Sequence, residues 1–272
     1  MSARRVSAAA IRARKGSRFP VVTAYDAAFA RIAEAAGIDV LLCGDSLGMV
    51  VLGYSGTTAV TLEDMIRHGG AVARGSNRAH VMVDVPFGAF EADDATAIGS
   101  AVGLVRAGAS SVKIEGGRRN AQRVRAIVDA GIPVCGHVGV LPQTAELERG
   151  YRRRNDRDAL LDDVDAFVEA GAFALVLEMV DFDIAGEITR RADVPTIGIG
   201  SGRHCDAQVL VLHDVLGLYD DSPPFAKRFA EIGAATSEGL RAYASAVSDG
   251  TFPDDVPAPS RVPAAHGATP RR

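Results

Sequence analysis

Short apolar runs rich in β-formers alternate with Ala-rich helical segments along almost the whole chain. The runs are PVVTAY (20–25), DVLLCG (39–44), HVMVDV (80–85), SVKIEG (111–116), PVCGHV (133–138), ALVLEM (174–179), TIGIGS (196–201) and a weaker QVLVLHD (208–214). Between them the apolar spacing falls near three and four, as in AAFARIAEAAG (27–37), ATAIGSAVGLVRAG (95–108), NAQRVRAIVDAG (120–131), ALLDDVDAFVEAG (159–171) and EIGAATSEGLRAYASAVSDG (231–250). Several of these end in Ala-Gly, a glycine stop ahead of the next strand. Strands that are apolar throughout, with no alternation, are buried on both faces, as parallel strands are. Eight such units predict an α/β chain folded as a closed (β/α)8 TIM barrel. A doubly wound open sheet is the competing topology, but its first strand normally leads into a glycine-rich turn, and VTAYDAAFA contains no glycine.

The 272 residues are enough for one large core, and 47% hydrophobic with 24% charged residues is an ordinary globular balance. Residues 1–255 read as a single barrel domain with an N-terminal helix, and the Pro- and charge-rich 256–272 as a disordered tail. A net charge of −4 gives no reason to expect nucleic acid or an anionic membrane as partner, and no apolar run approaches the roughly 18 residues of a bilayer span. The start, MSARRVSAAAIRARKG, is basic and free of acids, as transit peptides are. Because a strand follows it directly, an amphipathic helix with Val6, Ala10 and Ile11 inward is the favoured reading. Cys43, Cys135 and Cys205 match no zinc spacing and read as reduced, buried small hydrophobes of a cytoplasmic protein.

In a barrel the chemistry sits at the C-terminal ends of the strands. Those positions hold Tyr25 and Asp26, Asp45 and Ser46, Asp84, Lys113 and Glu115, His137, Glu178, and the glycine-rich IGIGSG. A carboxylate at the end of a buried strand must be compensated. Asp45, Asp84 and Glu115 come from successive units, and oxygen ligands of this kind suit Mg2+. Read singly, either aspartate could instead be a helix cap. Lys113, two residues from Glu115 and on the same side of its strand, must pair with that glutamate or bind an anion. His137, between glycines, is either a satisfied core residue or a catalytic group. Glu178 ends an aliphatic run, which suits a general base, or it orients His137. IGIGSG could cradle a phosphate or admit a bulky ligand, and RGYRRRNDRD (149–158) could be a solvated loop or close over an anionic substrate. His68, His80, His204 and His213 belong to no visible constellation.

Several strings then carry a resemblance, in order, from about residue 6 to 250: TAYD (23–26), GDSLG (44–48), DVPFGAF (84–90), VKIEGG (112–117), CGHVGVLPQ (135–143), LVLEMV (175–180), IGIGSG (197–202), QVLVLHDVLGL (208–218) and PPFAKRF (223–229). Together they resemble the ketopantoate hydroxymethyltransferase family. The resemblance implies a barrel of the phosphoenolpyruvate/pyruvate type, assembled as a homodecamer of two pentameric rings. It implies transfer of the one-carbon unit of 5,10-methylenetetrahydrofolate to 3-methyl-2-oxobutanoate, giving 2-dehydropantoate for pantothenate biosynthesis through a metal-stabilised enolate. By the same resemblance Asp45, Asp84 and Glu115 form the Mg2+ site, Asp45, Ser46, Asp84 and Lys113 contact the keto acid, Glu178 accepts the proton and His137 lies close to the substrate. Asp181 departs from the family's usual proline. A related Mg2+-dependent carbon–carbon lyase or phosphonomutase, working on a 2-oxo acid without folate, and a non-catalytic binding barrel are the alternatives.

Overall fold

A computed structural model of the chain describes residues 5–145 and 150–253. Eight parallel strands, β1 (Phe19–Thr23), β2 (Val40–Cys43), β3 (His80–Asp84), β4 (Ser111–Glu115), β5 (Val134–Gly139), β6 (Ala174–Glu178), β7 (Thr196–Ile199) and β8 (Ala207–Leu210), follow the expected runs. They pair in sequence order, and β8 closes on β1 through Phe19–Ala207 to Val22–Leu210. The open-sheet alternative is thereby excluded. The proposed tail, 256–272, lies outside the described residues.

Alternation along each strand makes two cores. Outward side chains such as Leu41, Val83, Ile114 and Leu175 pack under the helices, while inward ones such as Val40, Met82, Cys135, Val176 and Ile197 fill the barrel. The inward phase continues upward by steps of two, from Met82 to Asp84, Cys135 to His137 and Val176 to Glu178. Packing in the lower barrel therefore aims the polar residues at its mouth. All three cysteines are free and buried, Cys43 in the outer core and Cys135 inside the barrel.

The N-terminal segment plugs the barrel floor. Ser7 caps the helix Ala8–Arg12, and Ile11 is fully buried beside Phe19 and Phe173. Ala8, not the expected Ala10, turns inward with Ile11, because positions three apart share a helix face and Ala10 falls on the exposed side. The floor is stapled to the sheet by Asp206, only 5% exposed, which accepts from Lys15 Nζ (2.9 Å), Gly16 N (3.0 Å) and Thr196 N (2.9 Å). His80 lies between the Val6 carbonyl (3.0 Å) and Ser111 Oγ (2.7 Å), a structural role in keeping with the sequence reading. Asp26, one of the strand-end acids, is exposed and caps the helix Ala27–Ala35 through Ala28 N and Phe29 N. It takes no part in the mouth.

Removing the Asp206 carboxylate takes an acceptor from four donors, one of them charged, and leaves the Gly16 and Thr196 N–H groups without it. Asp206→Ala should lower the unfolding free energy by about 1.5–3 kcal/mol, read as a fall in denaturant midpoint at constant slope. An unchanged midpoint would show that the floor is held by apolar packing alone.

Candidate active site

The mouth holds a cavity of about 670 Å3, and Asp45, Ser46, Asp84, Lys113, His137 and Glu178 all line it. Six residues chosen from strand-end position alone therefore meet in one space. Asp45 and Asp84 are 4% and 3% exposed. Their segments are joined where the Asp45 N–H donates to Asp84 Oδ2 at 3.1 Å. The other Asp84 oxygen faces Lys113 Nζ at 3.1 Å. Gln143 Nε2 donates to Asp45 Oδ2 at 2.7 Å and to the Val85 carbonyl at 3.0 Å.

Burial first, and then the charge of Asp84, holds the Asp45 carboxyl well above the usual carboxylate range. Burial opposes the Lys113 charge, but Asp84, Asp45 and Glu115 outweigh it and keep the ammonium charged well beyond its ordinary value. His137 stands between two glutamates, with Nδ1 3.4 Å from Glu115 Oε2 and Nε2 3.4 Å from Glu178 Oε2. Lys113 Nζ is 3.3 Å from Nδ1. Burial and Lys113 disfavour the imidazolium, yet the two glutamates prevail and raise the pKa. Ser46 Oγ is 2.9 Å from the Tyr25 hydroxyl.

Two placements depart from the strand-end picture. Lys113 pairs with Asp84 across the β3–β4 ladder, where the two residues are in register, and not with Glu115. Glu115 is not among the cavity's lining residues. Its carboxylate accepts the Gln143 N–H at 3.0 Å and borders a neighbouring pocket of about 320 Å3. The reason is Gln143, whose backbone holds Glu115 while its side chain holds Asp45. Nothing in the strand pattern marked Gln143, since it lies in the short helix Pro142–Ala145 beyond β5 and becomes a partner only when that segment packs against the mouth.

Backbone geometry beside Glu178 is tight. Gly139 has φ +105°, and a Cβ there would lie 2.2 Å from the Glu178 carbonyl oxygen, which explains the second glycine of GHVG. Met179 adopts φ +48°, rare for a side chain of this kind, and is held by Met179 N to Ile199 O and Arg154 N to Met179 O, both 2.8 Å. Asp181, where the resemblance expected proline, caps the helix Phe182–Arg191 through Asp183 N and Ile184 N. The IGIGSG stretch is filled by the chain itself. Gly200 meets Phe225 and Met179, Gly202 meets Phe182, and Ser201 Oγ donates to the Leu177 carbonyl at 2.7 Å. Most of the described residues of the arginine-rich run are exposed, as a solvated loop would be, but Tyr151 and Arg153 also line the cavity, and Arg153 donates to Val180 O and Gly200 O, both at 2.9 Å, while stacking on Phe182.

The donor set fits a hard divalent cation. Two adjoining buried carboxylates repel one another, and Asp84 Oδ1 makes no hydrogen bond beyond its ion pair. Among the described residues no three His, Cys, Asp or Glu side chains form a ready-made metal cage. A pair of buried carboxylates is itself compatible with Mg2+, which takes one or two protein carboxylates and leaves its other positions to water and substrate oxygens.

Comparison with known proteins agrees with this architecture. The family model described as ketopantoate hydroxymethyltransferase matches residues 5–255. A 3-methyl-2-oxobutanoate hydroxymethyltransferase of Aeropyrum pernix is 51% identical over 256 residues, covering 92% of this chain and 93% of that protein. One of the same name from Thermus thermophilus is 48% identical, covering 89% and 94%. In fold, phosphonopyruvate hydrolase in complex with oxalate and Mg2+ superposes with a TM-score of 0.63 at 14% identity, over 92% of this chain and 91% of that one. For 2,3-dimethylmalate lyase, a member of the PEP mutase/isocitrate lyase superfamily, the TM-score is 0.60 at 18% identity, over 89% and 88%. With the family model spanning the whole barrel and about half of the aligned residues identical in such relatives, the chain belongs to the ketopantoate hydroxymethyltransferase family.

Proposed function

We propose that this chain is an enzyme that transfers a hydroxymethyl group from 5,10-methylenetetrahydrofolate to 3-methyl-2-oxobutanoate, giving 2-dehydropantoate. The observation that carries the reading is the meeting, in one cavity, of a buried carboxylate pair, a charged lysine and a glutamate–histidine couple. Membership of the family supports the choice of substrates.

Asp45 and Asp84 would hold Mg2+, with Glu115 supporting Asp45 from behind through Gln143. Bound there, the metal would polarise the ketone of the 2-oxo acid and stabilise the negative charge that its oxygen gains on deprotonation. Lys113 complements the anionic head of the keto acid. Ser46, partnered by Tyr25, offers it a hydroxyl. Glu178 removes the C3 proton, and His137 at 3.4 Å holds the carboxylate in line and can share that proton. The electron pair left behind becomes the C2–C3 double bond of the enolate. C3 then bonds to the methylene carbon of the cosubstrate's iminium form; the bond from that carbon to the folate nitrogen breaks, water supplies the hydroxyl oxygen, and a proton goes to the nitrogen as tetrahydrofolate leaves. The reading also includes a reducing, cytoplasmic setting, in keeping with three free cysteines.

Glu178→Gln should slow exchange of the C3 hydrogen with deuterium oxide by about 10²–10⁴-fold, followed by NMR of the keto acid; exchange at the wild-type rate rules Glu178 out as the base. Asp45→Ala should abolish Mg2+-dependent binding of the keto acid in calorimetry while the circular dichroism spectrum stays native, and retained Mg2+-dependent turnover would refute the metal assignment. The homodecamer is part of the same proposal. The helix Ile232–Ser248 has no buried residue and leaves Leu240, Tyr243 and Val247 exposed at 63%, 58% and 47%. Light scattering should return about ten chain masses, and a monomer at micromolar concentration would reject the assembly.

A further inference from the structure

Four acidic side chains line the cavity: Asp45, Asp84, Glu178 and Asp214. The first three have work in the chemistry above and the fourth has none. Asp214 lies in the helix Leu212–Leu216 that follows β8, and it is only 6% exposed. Burial raises its pKa, and Ser222 and Arg228 offset that only in part. Burying a carboxyl in this way is costly unless a ligand or the fold makes use of it.

Topology separates Asp214 from the keto-acid residues. In the closed barrel β8 stands across the mouth from β4, the strand of Lys113, and Asp45, Asp84, Lys113 and His137 occupy the β2–β5 arc. Glu178 on β6 lies between the two sides. The wall beside Asp214 is apolar, made by Val209, Val211, Pro223, Pro224 and Phe225. At about 670 Å3 the cavity sits within the ~300–1,000 Å3 range of sites for drug-sized ligands, more room than a small branched keto acid needs.

The cosubstrate supplies the missing shape. A reduced pterin is nearly flat, which suits a wall of prolines and a phenylalanine. Its 2-amino-4-oxopyrimidine edge carries two neighbouring donors, the N3–H and the 2-amino group. A carboxylate has two acceptor oxygens and can take both donors at once. We propose that Asp214 recognises the 2-amino-4-oxopyrimidine edge of the folate cosubstrate, with the ring against Pro223–Phe225. This inference rests on the hydroxymethyl-transfer reading. It puts the one-carbon donor on the β8 side, the keto acid on the β2–β5 side, and the base between them.

The test varies 5,10-methylenetetrahydrofolate at saturating keto acid and Mg2+. Asp214→Asn should raise the KM for the folate by about tenfold to a hundredfold, with the KM for the keto acid shifted less than about twofold. In parallel the wild-type enzyme is given the cosubstrate whose 2-amino group is replaced by methyl. It should lose a similar factor, and Asp214→Asn should discriminate far less between the two folates. An unchanged folate KM in the variant, or equal use of both folates by the wild type, overturns the proposal. So does a parallel rise in both KM values, which would make Asp214 a support for the site as a whole. If Asp214→Asn does not fold, the wild-type comparison of the two folates still decides. Failure of the underlying reading looks different: the wild type then forms no 2-dehydropantoate from either folate, and both proposals fall together.

Discussion

Two carboxylates held side by side away from water are what the rest of the mouth is built to tolerate. Asp45 and Asp84 repel each other, and burial together with that repulsion holds the Asp45 carboxyl above the usual carboxylate range. Lys113 faces one of them, a backbone N–H ties their segments together, and Gln143 holds the other. Removing any of these leaves a buried charge uncompensated, so the pair constrains β2, β3, β4 and the loop beyond β5 at once. The same pair fits a divalent cation, whose charge would balance what the protein's own partners leave over.

Around the pair, precision comes from backbone as much as from side chains. Glu178 keeps its place because Gly139 allows β5 to approach its carbonyl, and because Met179 is held in a left-handed conformation by two backbone hydrogen bonds. His137 is set between two glutamates, so its ring orientation is determined from both sides. Glu115 supports the carboxylate pair from behind, through Gln143 on Asp45 and through His137 and Lys113 toward Asp84, a supporting layer of the kind that orients groups in direct contact with a ligand.

The cavity is divided by chemistry. Charged residues gather on the β2–β5 arc, while prolines, valines and Phe225 face them from β8 and the segment after it, with Asp214 as the exception. A polar side and an apolar side suit two substrates that differ in character, a small anion and a flat heterocycle. The glycine-rich loop after β7, a candidate phosphate cradle by sequence, is instead packed by Phe225, Met179 and Phe182 and so shapes that apolar side.

Much of this was legible in the residues. Eight apolar runs gave eight strands, because a strand buried on both faces leaves a continuous hydrophobic signature that needs no knowledge of its neighbours. Strand-end positions picked out six residues that share one cavity, since alternation along a strand is a local property. What could not be read was which charged group meets which. Lys113 pairs with Asp84 and not Glu115 because β3 and β4 lie in register, and inter-strand register is absent from the order of residues along either strand. Gln143 meets Asp45, and Asp214 reaches the cavity, only after the segments beyond β5 and β8 are folded into place, so no spacing rule singled them out. The chain's own pattern thus determined the barrel and the acids at its mouth. The tertiary structure decided their partners, because those depend on contacts between segments far apart in sequence.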